Sequence, residues 1–347
     1  MAEGSPISAR LRVGIVGAGF MGETHLAGWI TEGNPVVVHD IDPGRAAALA
    51  ARHSATVADG FDELLERSDV VDVCTATHRH AEVAIAAARA GRHVICEKPL
   101  ARTLEDAEAI VVACTAAGVR LFVAHVVRFF PEYVAARQAV ADGLVGEPAV
   151  LRLKRASFRP RHPADHWFFD PAKSGGMVVD LMIHDFDYAR WVAGDVVSVQ
   201  CRSAGADRPG LGVEHAFAIL THASGAISQV TGSWAYAPPT FRTAFEIAGS
   251  RGLIEYDSAA SPPIVSYLRP RESDGGGVVG LPGSPVAEDP YRLELREFHR
   301  AIVEGAPARV EARDGLEALR IAIAADESAR TGRVIRLVGT ESARWSR

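Results

Sequence analysis

Two grammars of apolar positions divide the chain. Up to about residue 124, short apolar runs alternate with segments whose apolar residues recur at helical spacing. Leu11-Arg-Val-Gly-Ile-Val16, Val36-Val-Val-His39, Val70-Val-Asp-Val-Cys74, His93-Val-Ile-Cys96 and Leu121-Phe-Val-Ala124 read as strands, with a shorter one at Ala55-Thr-Val57. Residues 20–31, 45–52, 61–67, 81–90 and 104–117 read as helices, the fourth stopped by Gly91. Strand–helix alternation with short connections predicts a parallel sheet covered on both faces. Beyond 124 one more helix, 131–142, is followed by strands in series at 149–155, 196–203, 215–221, 226–234, 241–248 and 253–256. Turn signals such as Ala223-Ser-Gly225 and Gly249-Ser-Arg-Gly252 separate them, which predicts an antiparallel sheet. One helix, 176–192, interrupts the series. Residues 258–290, rich in Gly, Pro and Ser, read as a long surface loop, and helices at 291–304 and 314–329 close the chain.

A length of 347 residues suits two domains, with boundaries expected at 1–124 and 125–347. The net charge of −6, without a basic run, argues against nucleic acid as the main partner. No stretch reaches the roughly 18–20 apolar residues needed to cross a bilayer, so no membrane partner is expected. Residues 1–9 are polar and read as a loose tail rather than a signal peptide. Cys74, Cys96, Cys114 and Cys201 are widely spaced, with no C-x-x-C pair, and read as reduced thiols of a cytoplasmic protein.

Gly17-Ala-Gly-Phe-Met-Gly22 follows a strand directly and opens a helix, and Asp40 ends the next strand about twenty residues on. The first glycine allows the tight turn. The second lets a pyrophosphate approach the backbone at a helix N-terminus, and the third permits close packing of helix on strand. Gly17, Gly19, Phe20, Met21 and Gly22 are therefore candidate cofactor-binding residues. Asp40 suits the two adenosine ribose hydroxyls and would repel a 2′-phosphate, which favours NAD over NADP. The fold class is an α/β N-terminal Rossmann domain plus an α+β C-terminal domain with a large, mainly antiparallel sheet.

Cys74-Thr-Ala-Thr77 with His80, then Gly91-Arg-His-Val-Ile-Cys-Glu-Lys-Pro-Leu100, and Ser174-Gly-Gly-Met-Val-Val-Asp-Leu-Met-Ile-His-Asp-Phe-Asp187 together resemble the glucose-fructose oxidoreductase/inositol dehydrogenase/rhizopine-catabolism (Gfo/Idh/MocA) family. The resemblance runs from about Arg12 to Gly252. It implies that Thr75, Thr77 and His80 lie along the cofactor, that Glu97 and Lys98 flank the nicotinamide ribose, and that Asp180 and His184 complete the catalytic group. Arg128 matches a position that reaches cofactor or substrate, and Tyr236 resembles a substrate-facing tyrosine. The resemblance also implies a cis Lys98-Pro99 bond and a homodimer or homotetramer associating through the outer face of the antiparallel sheet.

Oxidising a secondary alcohol requires a base for the hydroxyl proton and a cation for the developing alkoxide. Asp180 and His184 are four apart and would share one face of a helix. His184 then acts as acid/base, oriented by Asp180, while Lys98 binds and polarises the reacting oxygen; the reverse division of labour stays open. Asp187 competes with Asp180, and Asp185 points elsewhere. His162-Pro-Ala-Asp-His166 reads as a substrate-side loop or subunit contact rather than a metal cluster, with His162 a substrate-binding candidate and no metal expected. Trp167-Phe-Phe169 reads as a cover for the nicotinamide or as core, His78 as a loop residue and His25 as structural. Polar candidates in number suit a cyclitol, polyol or sugar, an inositol-type substrate first. Two alternatives are a glycosidase using NAD transiently and a non-catalytic dinucleotide sensor.

Overall fold

The computed structural model describes residues 9–160, 162–163, 165–205, 213–260, 264–268 and 288–337. They form two compact units. The first holds the residues through Phe129 together with Trp167–Ser174 and Val286–Leu316, and the second holds the remainder. These units differ from the expected division after residue 124 by a few residues at the boundary and by two later segments. Those two segments, Trp167–Ser174 and Val286–Leu316, follow the second unit's first strand in the sequence but cluster with the first unit.

In the first unit, β1 (Val13–Val16), α1 (Phe20–Thr31), β2 (Val36–His39), α2 (Pro43–His53), β3 (Thr56–Val57), α3 (Phe61–Arg67), β4 (Val70–Val73), α4 (His80–Arg89), β5 (His93–Glu97), α5 (Leu104–Ala117) and β6 (Leu121–Ala124) alternate as expected. The strands form one parallel sheet in the order β3-β2-β1-β4-β5-β6. Its central strands β1 and β4 are buried along their whole length, which explains why they are apolar apart from Asp72 on β4. Strand order reverses between β1 and β4, so their carboxyl ends open the crevice where such sheets bind ligands. Local chemistry sets the helix limits. Asp42 caps α2 ahead of Pro43, and the Thr103 hydroxyl accepts the Asp106 N–H at the start of α5.

In the second unit, α6 (Pro131–Ala141) and β7 (Pro148–Ser157) come first. After them α7 (Pro171–Ser174) belongs to the first unit, and α8 (Gly176–Asp180) and α9 (Ile183–Ala193) to the second. Next come β8 (Val196–Ala204), β9 (His215–His222), β10 (Ile227–Ser233), β11 (Phe241–Gly249), β12 (Gly252–Asp257) and β13 (Ile264–Leu268). Two helices, α10 (Pro290–Glu304) and α11 (Ala312–Thr331), and a short β14 (Ile335–Arg336) end the described chain. The second sheet has the order β13-β12-β11-β7-β10-β9-β8-β14. Every neighbouring pair is antiparallel except β7 and β10, which run parallel at its centre. Part of the expected 258–290 loop is strand β13; residues 261–263 and 269–287 of that loop, like 1–8 of the expected tail, lie outside the described residues.

Phe298 of α10 is fully buried, stacked on Phe122 at 4.8 Å and edge-on to Phe129 at 6.2 Å. Burying one such side chain contributes roughly 1.5–3 kcal/mol, enough to hold α10 to the first unit. In the second unit Tyr133 of α6 meets Tyr188 of α9 at 4.8 Å and Phe245 of β11 at 5.0 Å, both edge-on. There Arg155 of β7 donates two hydrogen bonds to Asp185 of α9, at 2.9 and 3.0 Å, with both side chains buried. This pair fixes the rotation of α9 on the sheet. Asp185→Ala strands a buried guanidinium and is expected to lower stability by about 3–5 kcal/mol, whereas Arg155→Met with Asp185→Leu loses far less. Urea unfolding of the single and double variants measures the difference, and equal losses would contradict this role.

Candidate functional site

The glycine turn has the geometry of an anion seat. Gly17 has φ +106, and a Cβ there would press against the Cys74 backbone; a Cβ on Gly22 would overlap the Gly17 carbonyl oxygen. These two glycines are required by packing. Gly19 differs: the nearest atom to its virtual Cβ is the Arg45 guanidinium at 3.7 Å, so space is open beside it. Gly19 caps α1 without a side-chain hydrogen bond, which leaves the first-turn N–H groups of α1 directed at that space. Phe20, 80% exposed, and half-buried Met21 follow. Asp40, at the end of β2, accepts the Ala18 N–H at 2.7 Å and the Asp42 N–H at 2.9 Å. Each carboxylate oxygen retains a lone pair for a ribose hydroxyl. A dinucleotide fits this cradle.

The loops after β4 and β5 carry the next candidates. Thr75 is half-buried and Thr77 buried. His80 is buried, with Nδ1 2.9 Å from the Pro99 carbonyl and Nε2 3.1 Å from the Thr75 carbonyl. Burial pushes this imidazole below its usual value, against the pull of both carbonyls. His80 thus ties the two loops together. Glu97 is buried and its Oε2 accepts the Lys98 N–H at 2.9 Å. Lys98 is half-buried, and the Lys98-Pro99 bond is cis, as the resemblance implies. Arg128 departs from expectation. It is buried, donates to the Arg309 carbonyl at 2.9 Å and pairs with Asp314 at 3.1 Å. Its guanidinium thus anchors the start of α11 within the first unit, because the turn after β6 packs directly on that segment. Trp167 sits on the turn Thr77–Arg79, its ring 6.0 Å from His78, and Arg102 donates to the Pro171 carbonyl at 3.0 Å.

The second unit presents Asp180, His184, Tyr236 and His162. The single helix expected over 176–192 is broken. Leu181 and Met182 both donate back to the Met177 carbonyl, at 2.9 and 3.4 Å, and Asp185 donates to the Met182 carbonyl at 3.0 Å. A Cβ on Gly232 of β10 would overlap Met182 and crowd Met177, so this corner rests directly on the strand. Asp180 ends α8 and His184 is the second residue of α9, so they do not share one continuous helix face. Both are half-buried among buried neighbours, while Asp187 is wholly buried; accessibility therefore favours Asp180. Asp185 faces Arg155, away from any cleft-facing role. Tyr236 is half-buried, with the Lys154 ammonium 5.7 Å from its ring centre. His162 is exposed and stacked on His166 at 4.1 Å.

Residues 11–125 match the oxidoreductase family with an NAD-binding Rossmann fold, and 133–255 match the Gfo/Idh/MocA C-terminal domain. The chain is 31% identical to 1,5-anhydro-D-fructose reductase of Ensifer adhaerens over 330 residues, 92% of this chain and 97% of the relative. The chain belongs to the Gfo/Idh/MocA family of oxidoreductases. Myo-inositol 2-dehydrogenase of Thermotoga maritima is 29% identical, covering 94% of this chain and 98% of its own. The solved structure of levoglucosan dehydrogenase in complex with NADH and levoglucosan superposes with a TM-score of 0.83 at 25% identity, covering 94% of this chain and 99% of that one.

Two residues at the cradle escaped the sequence reading. Arg45 donates to the Ala18 carbonyl at 3.4 Å beside Gly19, and Ile41, next to Asp40, is 93% exposed. The signal for Ile41 was an apolar residue directly after the acid that ends β2. Gly19→Ala fits the backbone and is expected to leave the melting temperature within about 2 °C while weakening NAD binding at least about tenfold. Gly22→Ala is expected to lower both. Calorimetric titration alongside thermal unfolding checks this; a Gly19→Ala protein that binds NAD normally would show that the pyrophosphate lies elsewhere.

Proposed function

We propose that the chain transfers a hydride between NAD and a secondary alcohol or ketone of a cyclitol, polyol or sugar, with an inositol-type alcohol as the first choice. The observation that carries this reading is the open space beside Gly19, over the uncapped N-terminus of α1 and flanked by Asp40. Gly17, Gly19, Phe20, Met21 and Gly22 would hold the pyrophosphate, Asp40 the adenosine ribose and Ile41 one face of the adenine. NAD supplies the hydride acceptor when bound. Lys98 binds and polarises the reacting oxygen, His184 takes or returns the hydroxyl proton, and Asp180 orients His184. Thr75, Thr77 and Glu97 line the nicotinamide side, and His162 and Tyr236 contact substrate hydroxyls.

Asp40 supports NAD over NADP, since its carboxylate would repel a 2′-phosphate. A second reading, use of NADP, draws on the Arg45 cation beside the same turn. The four cysteines are free and buried, and burial raises the Cys114 and Cys201 thiols to about 11; inert thiols of this kind support a cytoplasmic setting. No helix among the described residues is long and apolar enough to cross a membrane.

A screen of cyclitols and sugars with NAD and NADP, followed by absorbance of the reduced cofactor, tests the reading. Net cofactor reduction by at least one polyol, faster with NAD, is expected. On that substrate Lys98→Met should lower kcat by about 10²-fold or more, the range for losing one group that stabilises the developing alkoxide. NAD binding without turnover across the panel would favour the sensor, and bond cleavage without net reduction would favour the glycosidase.

Homodimer or homotetramer formation is part of the same proposal. Val197, Phe217, Ile219 and Ile227 are exposed on β8, β9 and β10, where a soluble monomer rarely gathers apolar side chains. Sedimentation should find an oligomer that Ile219→Lys dissociates; a wild-type monomer at micromolar concentration would remove this part.

A further inference from the structure

Behind the loops after β4 and β5 lies a set of buried ionisable groups that take no direct part in hydride transfer. His25, in the second turn of α1, has no exposed surface. Its Nδ1 lies 3.0 Å from both carboxylate oxygens of Asp72 on β4. Its Nε2 lies 3.2 Å from Glu97 Oε1 on β5, an ion-pair contact off the axis of a hydrogen bond. Trp29 Nε1 donates to the second Asp72 oxygen at 2.8 Å. Cys74 Sγ lies 3.5 Å from both His25 Nδ1 and Asp72 Oδ1. Glu294 of α10 completes the surroundings, wholly buried and with no hydrogen-bond partner for either oxygen among the described residues.

The charge states follow from these contacts. An ionised carboxylate only accepts, so Asp72 needs the Nδ1 proton, and Glu97 favours a second proton on Nε2. Burial opposes the imidazolium, but Asp72 outweighs it and holds His25 well above its ordinary value. Burial, followed by Asp72, raises the Cys74 thiol to about 12, so it stays protonated. Burial likewise keeps Glu294 neutral by raising it well above the carboxylate range. The donor atoms of His25, Asp72 and Cys74 lie within 4.8 Å of one another, a spacing a metal could also use. A protonated thiol and an Asp72 oxygen already taken by Trp29 fit a proton there instead.

We infer that His25 is a positioning residue: its ring, bridged between Asp72 and Glu97, fixes the Glu97 carboxylate that holds the Lys98 backbone N–H. Lys98 is thereby tied to α1, the helix whose N-terminus faces the cofactor space. The inference rests on the proposed action of Lys98 on the reacting oxygen. It extends that role to a histidine that never touches substrate.

The test uses the full chain labelled with 15N-histidine, its His25 signals assigned by their loss in His25→Gln. Both ring nitrogens of His25 should be protonated at pH 7.5, and Asp72→Asn should leave the ring neutral at that pH. Hydrogen exchange of the Lys98 amide should speed up at least tenfold in His25→Gln. On the substrate found by screening, kcat should fall at least tenfold while the KM for NAD stays within threefold. A neutral His25 in the wild-type protein would overturn the inference, as would a His25→Gln variant with Lys98 exchange and kcat within twofold of wild type. If His25→Gln does not fold, Asp72→Asn carries the same exchange and kinetic comparison. If no cyclitol or sugar reduces NAD, the dehydrogenase reading fails by itself, while ring protonation and Lys98 exchange still decide the role of His25.

Discussion

Helix α1 lies against the ends of β1 and β4 with no room for a side chain between them, and the cofactor half of the molecule depends on this closeness. Residues 17 and 22 must be glycine because any Cβ would meet backbone atoms. The first-turn N–H groups of α1 consequently stand at the crevice where the strand order reverses, clear of the turn's own side chains. The same closeness brings His25 onto Asp72 and Glu97 one turn further along the helix. Further along α1, Gly28 admits Leu295 of α10, so the helix is held by α10 as well as by the strand ends.

The second unit solves a different problem, the orientation of a short helix on a sheet. Apolar contact alone would let α9 rotate, since its face is buried almost all round. The Arg155–Asp185 pair removes that freedom. A buried ion pair contributes little net stability compared with apolar residues of the same volume, so its main effect is to select one arrangement. With Asp185 held on β7, the neighbouring His184 is rotated by about a third of a turn to a half-buried position. Gly232 sets the height of the α8–α9 corner by letting Met177 and Met182 sit on the strand itself.

Features written in local sequence were legible. The glycine turn, Asp40 and the Glu97-Lys98-Pro99 segment each lie within a few residues of the strand end that presents them, and their spacing reports their geometry. The alternation of strands and helices was readable for the same reason, and Asp185 pairs with Arg155 apart from the candidate residues. Non-local contacts escaped. Nothing in the spacing of Asp180 and His184 reveals that a glycine on β10 draws two methionines down and breaks the helix between them. The motif positions of Arg128 and His80 do not reveal their partners Asp314 and the Pro99 carbonyl, which come from elsewhere in the chain. The parallel β7–β10 pair escaped likewise, since runs of strands signal hairpins and conceal the long excursion between those two. His25 read as structural because its two carboxylate partners are 47 and 72 residues away.

Charge balance beneath the cofactor loops links these observations. Asp72, Glu97 and Glu294 place three acids in a region that would face an anionic dinucleotide. At an effective dielectric near 20, unit charges about 10 Å apart interact by roughly 1–2 kcal/mol, so three full negative charges would oppose binding substantially. Burial keeps Glu294 neutral, and the His25 imidazolium offsets one of the other two. The remaining carboxylate can then be used for orientation instead of repelling the ligand. A neutral polar residue at position 25 would supply the hydrogen bond to Asp72 without the charge. That distinction accounts for an ionisable group at the point where two buried carboxylates meet.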